Sequence, residues 1–382
     1  MKKVCLACER TSFDSNLYCQ EPYCPAERSP NVLDYGEWLG DIEILKPLIV
    51  LRSSVLYEAR RQKQMILLKV AHPGLENTRR LEREAIFLRS IRNPYLPVLL
   101  PPYTDAALKD HAYGKAMLRE HLLYFCLFEH FEGKPLRYML NQNPQLWVRH
   151  IGWLMINLAS AVAFLQSKGM LHYGISPDTV LVRFDTNPDV PRILLFDLGM
   201  VSTFQDFRAN WHPFFVPPAY TAPELMNLRT FQPNYATDVY GLGLTLYELL
   251  VGEPAFPFKL RSDHDIAQAV RQNRRVRMNR IEDVKPIAEV ALQAVHPDES
   301  VRQKTAIEVV GQMQAYFGAV PPKKKGPGPN LKMFMIVTVV FLALAFGITI
   351  VFTVSEIWAS FASDSARNVS PGWEVARLLS ER

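Results

Sequence analysis

Hydrophobic and polar positions change their period along this 382-residue chain. Apolar and β-branched runs at Ile42–Leu51, Ser54–Glu58 and Met65–Val70 are separated by basic, turn-like breaks, which predicts strands. Leu75–Ile91 predicts an amphipathic helix, with Leu81, Ile86, Phe87, Leu88 and Ile91 near one face. Tyr95–Leu100 and Leu122–Glu129 read as strands again. Beyond about residue 134 the spacing of three and four takes over. Trp147–Lys168 predicts a helix closing at Gly169, and Thr237–Val251 another closing at Gly252, a left-handed cap. A small strand-rich part followed by a larger helical part is an α+β arrangement. No internal repeat is present.

A different pattern begins near the C-terminus. Met333–Val354 is a run of 22 residues without a charge. As a helix it is about 33 Å long, enough to cross a bilayer core of about 30 Å. Lys323, Lys324, Lys325 and Lys332 precede it, and no basic cluster follows. Basic flanks stay cytoplasmic, so the expected topology is single-pass, with the N-terminal part in the cytoplasm. The expected organisation is a cysteine module at 1–28, a connector at 29–36 and a globular domain at 37–318. A Pro/Gly/Lys linker at 319–332, a transmembrane helix at 333–354 and a short extracytoplasmic tail at 355–382 follow. Ala343 and Gly347 form a small-xxx-small step through which the span could pair as a homodimer. Asn368-Val369-Ser370 fits a glycosylation triplet.

Composition narrows the picture. An apolar fraction of 48% supports a real core, and a formal charge of +5 without a basic stripe argues against nucleic-acid binding. Met1-Lys2-Lys3 is followed by no apolar core, so no secretory signal is expected. Cys126 sits in an apolar run and reads as a buried hydrophobe. Cys5, Cys8, Cys19 and Cys24 form two close pairs that suit one tetrahedral zinc ion. The module has too little apolar content to fold on a core, so metal would supply its folding energy. The rival pairing into two disulfides conflicts with cytoplasmic placement. Four thiolates leave no open position for catalysis, so the zinc is structural.

The remaining motifs form an ordered series. Lys69 lies in Met65-Ile66-Leu67-Leu68-Lys69-Val70, and Glu84 in Leu81-Glu82-Arg83-Glu84. Asn93-Pro94-Tyr95-Leu96 follows the helix. Then come His172-Tyr173-Gly174-Ile175-Ser176-Pro177-Asp178-Thr179, Phe196-Asp197-Leu198-Gly199, Ala222-Pro223-Glu224, Thr237-Asp238-Val239-Tyr240-Gly241, and Arg302. Residues 37–318 together resemble the eukaryotic-type Ser/Thr protein kinase family, which implies a bilobal fold. By that resemblance Lys69, Glu84 and Asp197 would hold ATP and magnesium, or bridge the lobes without them. His172, Glu224, Asp238 and Arg302 would hold the large lobe together.

The chain also departs from the family. The proton-accepting aspartate of a kinase loop is Gly174 here, and the magnesium-binding asparagine is Thr179. Tyr173 stands for the loop arginine, Ser176 for the phosphate-contacting lysine, and Pro217 for the substrate-positioning threonine. The glycine positions of the phosphate loop are Ile49, Leu51 and Ser54, and Gly36 and Gly40 lie too far upstream to replace them. The resulting expectation is a membrane-anchored pseudokinase that works on cytoplasmic signalling proteins as a scaffold or allosteric partner. The alternatives are an active or weakly active Ser/Thr kinase, or an ATP-binding sensor without phosphotransfer.

Overall fold

The computed structural model describes residues 1–6, 8, 10–13, 19, 21, 24, 29–144, 146, 148–184, 190–226, 232–272, 276, 278, 284–318, 341–343 and 345–360. The linker 319–332, the first part of the expected span, 333–340, and the tail beyond residue 360, with Asn368, lie outside them. Chain contacts divide the protein into two compact units, Met1–Val320 and Pro321–Arg382.

The first unit begins with a three-stranded antiparallel sheet: β1 (Lys2–Val4), β2 (Thr11–Phe13) and β3 (Asn31–Val32), with β1 in the middle. β3 falls in the segment expected to be a connector. Val32 and Leu33 are apolar and insert into the core of the next sheet, and the Leu33 amide donates to the Tyr57 hydroxyl at 2.9 Å. Burial of these two side chains makes the segment a strut.

The small-lobe sheet is built from β4 (Trp38–Leu39), β5 (Ile42–Val50), β6 (Ser54–Arg61) and β7 (Gln64–Ala71), crossed by α1 (Leu75–Ser90). It is completed by β8 (Leu99–Leu100), β9 (Gly114–Leu118) and β10 (His121–Glu129). Alternation along β6 and β7 sends Val55, Tyr57 and Leu68 to an outer core shared with Val32 and Leu33. Leu56 and Leu67 go to the inner core. The run Tyr95–Leu100 shortens to two strand residues. Pro97 has no amide to donate, and Asn93 turns the chain, accepting from the Tyr95 amide at 2.9 Å.

The large lobe follows β11 (Lys134–Pro135) with α2 (Leu136–Gln142), α3 (Val148–Ser167), β12 (Met170–Leu171), β13 (Val180–Arg183), β14 (Arg192–Leu195), β15 (Ser202–Thr203) and α4 (Phe207–Asn210). It ends with α5 (Tyr235–Val251), α6 (Asp263–Arg271), α7 (Lys285–Ala294) and α8 (Ala306–Phe317). α5 starts at a capping box in which Asn234 and Thr237 exchange bonds with each other's backbone, and it stops at Gly252 with φ of 86°. α3 is apolar enough to span a membrane, but it is the buried centre of this lobe.

In the second unit, Phe341–Ser360 is a helix of mean hydropathy 1.9 in which none of the described side chains is buried, and it continues six residues past the expected end at Val354. Length and composition make it, with α3, one of two helices among the described residues able to cross a membrane.

Candidate functional site

Lys69 on β7 stands opposite Leu56 of β6, so the strand pleat turns its side chain inward under the sheet. Its ammonium donates to Glu84 of α1 and to Asp197 Oδ1, the latter at 3.0 Å. Lys69 is only 2% exposed. The structure thus brings together three residues that the sequence places 15 and 128 positions apart. Burial alone would lower the Lys69 pKa, but the two carboxylates hold it well above its usual value. Burial would raise Asp197, yet the Lys69 charge and hydrogen bond keep its carboxyl below the usual range. Glu84 is pushed up by burial, which outweighs Lys69. Asp197 adopts a left-handed backbone, φ of 63°, which aims its carboxyl at the cleft between the lobes.

The loop after β12 is fixed from below. Asp238 accepts the amides of His172 and Tyr173 at 2.7 and 2.8 Å, and His172 Nε2 bonds the Phe196 carbonyl at 2.9 Å. Burial raises the Asp238 pKa to about 6 against the pull of the two amides. Tyr173 is held in the left-handed region, with φ of 63°. Its ring packs on Phe207 at 4.9 Å, and Phe207 stacks on Trp211 at 5.4 Å. Where an arginine would await a phosphate, this chain has an apolar stack.

Gly174 brings no carboxylate to the loop. Ser176 and Thr179, at the lysine and asparagine positions, cap the short turn that follows. Ser176 Oγ accepts from the Asp178 amide at 3.3 Å. Thr179 Oγ1 donates to the Ser176 carbonyl at 2.9 Å and accepts the Ser176 amide at 3.3 Å. Both roles of the Thr179 hydroxyl are therefore used locally.

The phosphate-loop position is a tight hairpin between β5 and β6. The Leu51 amide donates to the Ser54 carbonyl at 2.8 Å. His72 ties the tip from behind, its amide on the Ser53 carbonyl and its Nε2 on the Leu51 carbonyl, each at 2.9 Å. Ile49 and Leu51 join a continuous apolar cluster that includes Leu56, Leu67 and Phe128 of the small lobe and Leu181 and Val182 of the large lobe. A cavity of about 550 Å³ opens in front of this cluster. Ile49, Leu51, Gly174, Asp178, Asp197 and Tyr220 line it, whereas Leu56, Leu67, Phe128 and Leu181 do not.

Elsewhere in the large lobe, Arg302 is fully buried and forks onto Glu224 at 2.8 and 3.1 Å, with its plane over Tyr240. One network escaped the sequence reading. Arg137 of α2 donates to Asp178 at 2.9 and 3.2 Å, to the Tyr220 hydroxyl at 2.6 Å and to Glu248 of α5, and Tyr220 also donates to Glu248. These partners have no common spacing, so only the fold reveals them.

At the N-terminus the four cysteine sulfurs lie within 4.8 Å of one another, with Cys5–Cys24 at 3.6 Å and Cys8–Cys19 at 3.4 Å. No pair is at bonding distance. Sulfurs around a tetrahedral zinc, with Zn–S of about 2.3 Å, would stand about 3.8 Å apart, so this set fits such an ion. The Glu21 amide donates to Cys19 Sγ at 3.4 Å, a support for a thiolate.

A strand-rich lobe and a helical lobe, joined by a buried Lys–Glu–Asp bridge over a loop anchored to α5, define a protein-kinase fold. The protein kinase domain family model matches residues 57–316. The chain belongs to the protein kinase family. It is similar to a probable serine/threonine-protein kinase of Clostridium perfringens (strain 13 / Type A), 23% identical over 73% of this chain and 39% of that protein. It is also similar to serine/threonine-protein kinase ULK3 of Homo sapiens, 25% identical over 57% of this chain and 42% of that protein. A third relative is serine/threonine-protein kinase SAPK3 of Oryza sativa subsp. japonica, 26% identical over 53% of this chain and 54% of that protein. The chain thus spans about half or less of the length of these relatives.

Proposed function

We propose that this protein is a membrane-anchored pseudokinase, acting as a scaffold or allosteric partner for cytoplasmic signalling proteins. One observation carries the reading: Gly174 supplies no proton acceptor, and its neighbours Ser176 and Thr179 are committed to capping their own turn. A positioned base is worth about 10²–10⁴-fold. Positioning and charge stabilisation provide nearly all the rest of phosphoryl transfer. The bulk of Ile49 and Leu51, which line the interlobe cavity where phosphate-loop glycines would stand, further supports a cleft without a phosphate cradle. The apolar helix Phe341–Ser360, with the lysines that precede it in sequence, supports anchoring with residues 1–332 in the cytoplasm. The four-cysteine module is read as a structural zinc site.

The second reading is an active kinase. It is favoured by the assembled Lys69–Glu84–Asp197 bridge, in which one ammonium faces two carboxylates and leaves a surplus negative charge suited to magnesium. Full-length protein in detergent, given radiolabelled ATP with magnesium, separates the two. The expected result is no phosphate transfer above an Asp197→Ala control, and no magnesium-dependent thermal shift with ATP. Transfer that disappears in the control would establish the second reading. A thermal shift without transfer would instead support a nucleotide sensor.

A further inference from the structure

The hairpin at residues 48–54 has no glycine-rich loop to be ordered by a phosphate, yet it is restrained on three sides. From behind, His72 bonds the carbonyls of Leu51 and Ser53. From the large lobe, Asp263 at the first residue of α6 accepts both ends of the Arg52 guanidinium at 2.5 and 2.8 Å, and the Phe214 carbonyl takes a third bond at 3.3 Å. On the side of the cysteine module, Val4, Cys5 and Leu6 line the same interlobe cavity as Leu48, Ile49 and Val50. Val4 and Val50 also pack against the same core, around Val32 and Leu33.

We propose that the four-cysteine module is a clamp on the cleft: its zinc, rather than a nucleotide, fixes the hairpin at residues 48–54 over the large lobe. This rests on the zinc reading of the module. Cys5 is 2% exposed and lies between Val4 and Leu6, and all three line the cavity. A metal that holds Cys5 Sγ therefore also holds Val4 and Leu6. Among the described residues the strand pairing of the module is short. β1 and β2 share three residue pairs, β1 and β3 share two, and the loops between them carry the other three cysteines. Small modules of this kind draw their order from the metal.

Withdrawing the ion frees the segment from Cys5 to Cys24 and removes one wall of the cavity. The N-terminal ammonium, paired with Glu37 at 3.3 Å, and the Val32–Leu33 insertion still tie the chain to the small lobe. The expected result is a loosened hairpin on an otherwise folded domain. Zinc supply thereby becomes an input to a cleft that carries no catalysis, which gives the scaffold reading a means of regulation.

Hydrogen exchange read by mass spectrometry on the full-length protein in detergent tests this. Three states are compared: zinc-loaded, stripped with a zinc-selective chelator, and reloaded with zinc. Metal content is measured in each state and is expected to be about one zinc per chain when loaded. Stripping is expected to speed exchange several-fold at residues 48–60 as well as at 1–33, and to leave α5 unchanged. Reloading restores protection, and magnesium-ATP added to stripped protein does not. Leu6→Asn keeps its zinc but exchanges at 48–60 like the stripped protein. A change confined to residues 1–33, or restoration of 48–60 by magnesium-ATP, overturns the clamp while leaving the zinc site standing. Reduced protein that contains no zinc overturns the zinc reading and the clamp together.

Discussion

Replacing Lys69 by methionine tests whether the buried bridge is a strut between the lobes. Lys69→Met leaves Glu84 and Asp197 facing each other without their cation. At 3.0 Å and an effective dielectric of about 20, the Lys69–Asp197 attraction is worth about 5–6 kcal/mol before desolvation is counted. Desolvation removes much of that gain, but breaking a buried pair from one side still costs about 3–5 kcal/mol, because the stranded carboxylates stay buried. For a domain of about 280 residues, the unfolding entropy of about 2 cal/mol/K per residue converts this to a fall of about 5–9 °C in Tm. Thermal unfolding followed by tryptophan fluorescence, without nucleotide, reads the shift.

The effect also has a pH signature. In the wild type the Asp197 pKa is depressed by Lys69, so its contribution is present at neutral pH and fades as pH falls through the carboxylate range. In the variant, burial unopposed by Lys69 raises both carboxyls, which protonate and relieve the strain as pH drops. The Tm gap between the two proteins must therefore narrow from pH 7 towards pH 4. A gap under about 2 °C at pH 7, or one independent of pH, would refute the strut and return Lys69 to a ligand-binding role.

Three further outcomes follow from the same geometry. Arg302→Met strands Glu224 and should lower stability by about 3–5 kcal/mol in urea titration, and adding Glu224→Leu should recover part of the loss. Burial holds the His72 pKa below 6.5, so the unfolded chain takes up that proton first and stability falls as pH drops through 6.5. The slope, at most about 1.4 kcal/mol per pH unit, should shrink in His72→Gln between pH 7 and 5.5. Gly174→Asp alone should restore no phosphate transfer, measured with radiolabelled ATP, although the tightest contact of its new Cβ is the flexible end of Met200 at 3.1 Å.

Much of the fold was legible because its signals are local. The apolar spacing in α3 and α5 and the left-handed stop at Gly252 need no knowledge of the partner surface. The expected start of α5 at Thr237 is two residues late, because the Asn234–Thr237 box begins the helix at Tyr235 and Ala236. Ile86 was assigned to the buried face of α1 and is 57% exposed. Beside Leu81, Ala85 and Leu88 the inner face carries Arg80 and Glu84, charged residues with distant partners: the Asn210 carbonyl and Phe215 ring for Arg80, which also pairs with Glu76 on its own helix, and Lys69 for Glu84. The same reason hid the Arg137 network, whose partners lie 41, 83 and 111 residues away. Lys69, Glu84 and Asp197 were found because a family pattern supplied the long-range pairing that periodicity cannot.

Five of the departures from the kinase pattern, at Ile49, Leu51, Tyr173, Ser176 and Thr179, have taken on structural work. Ile49 and Leu51 are core residues of a cluster that runs between the lobes. Tyr173 is the first ring of the stack that seats the segment around Phe207 and Trp211. Ser176 and Thr179 satisfy each other's turn. Arg80 of α1 lies 3.6 Å over Phe215 and donates to the Asn210 carbonyl at 3.0 Å, so α1 is docked on that segment without a phosphate. A kinase holds these same parts with ligands and phosphate charges that come and go. Here apolar contacts and backbone hydrogen bonds, which do not depend on a bound nucleotide, hold them. Restoring one catalytic group would leave the others occupied, and restoring all of them would remove these contacts and leave the lobes to the Lys69–Glu84–Asp197 bridge and the Arg52–Asp263 pair. These contacts are made without a nucleotide, which is what the proposed scaffold role requires of them.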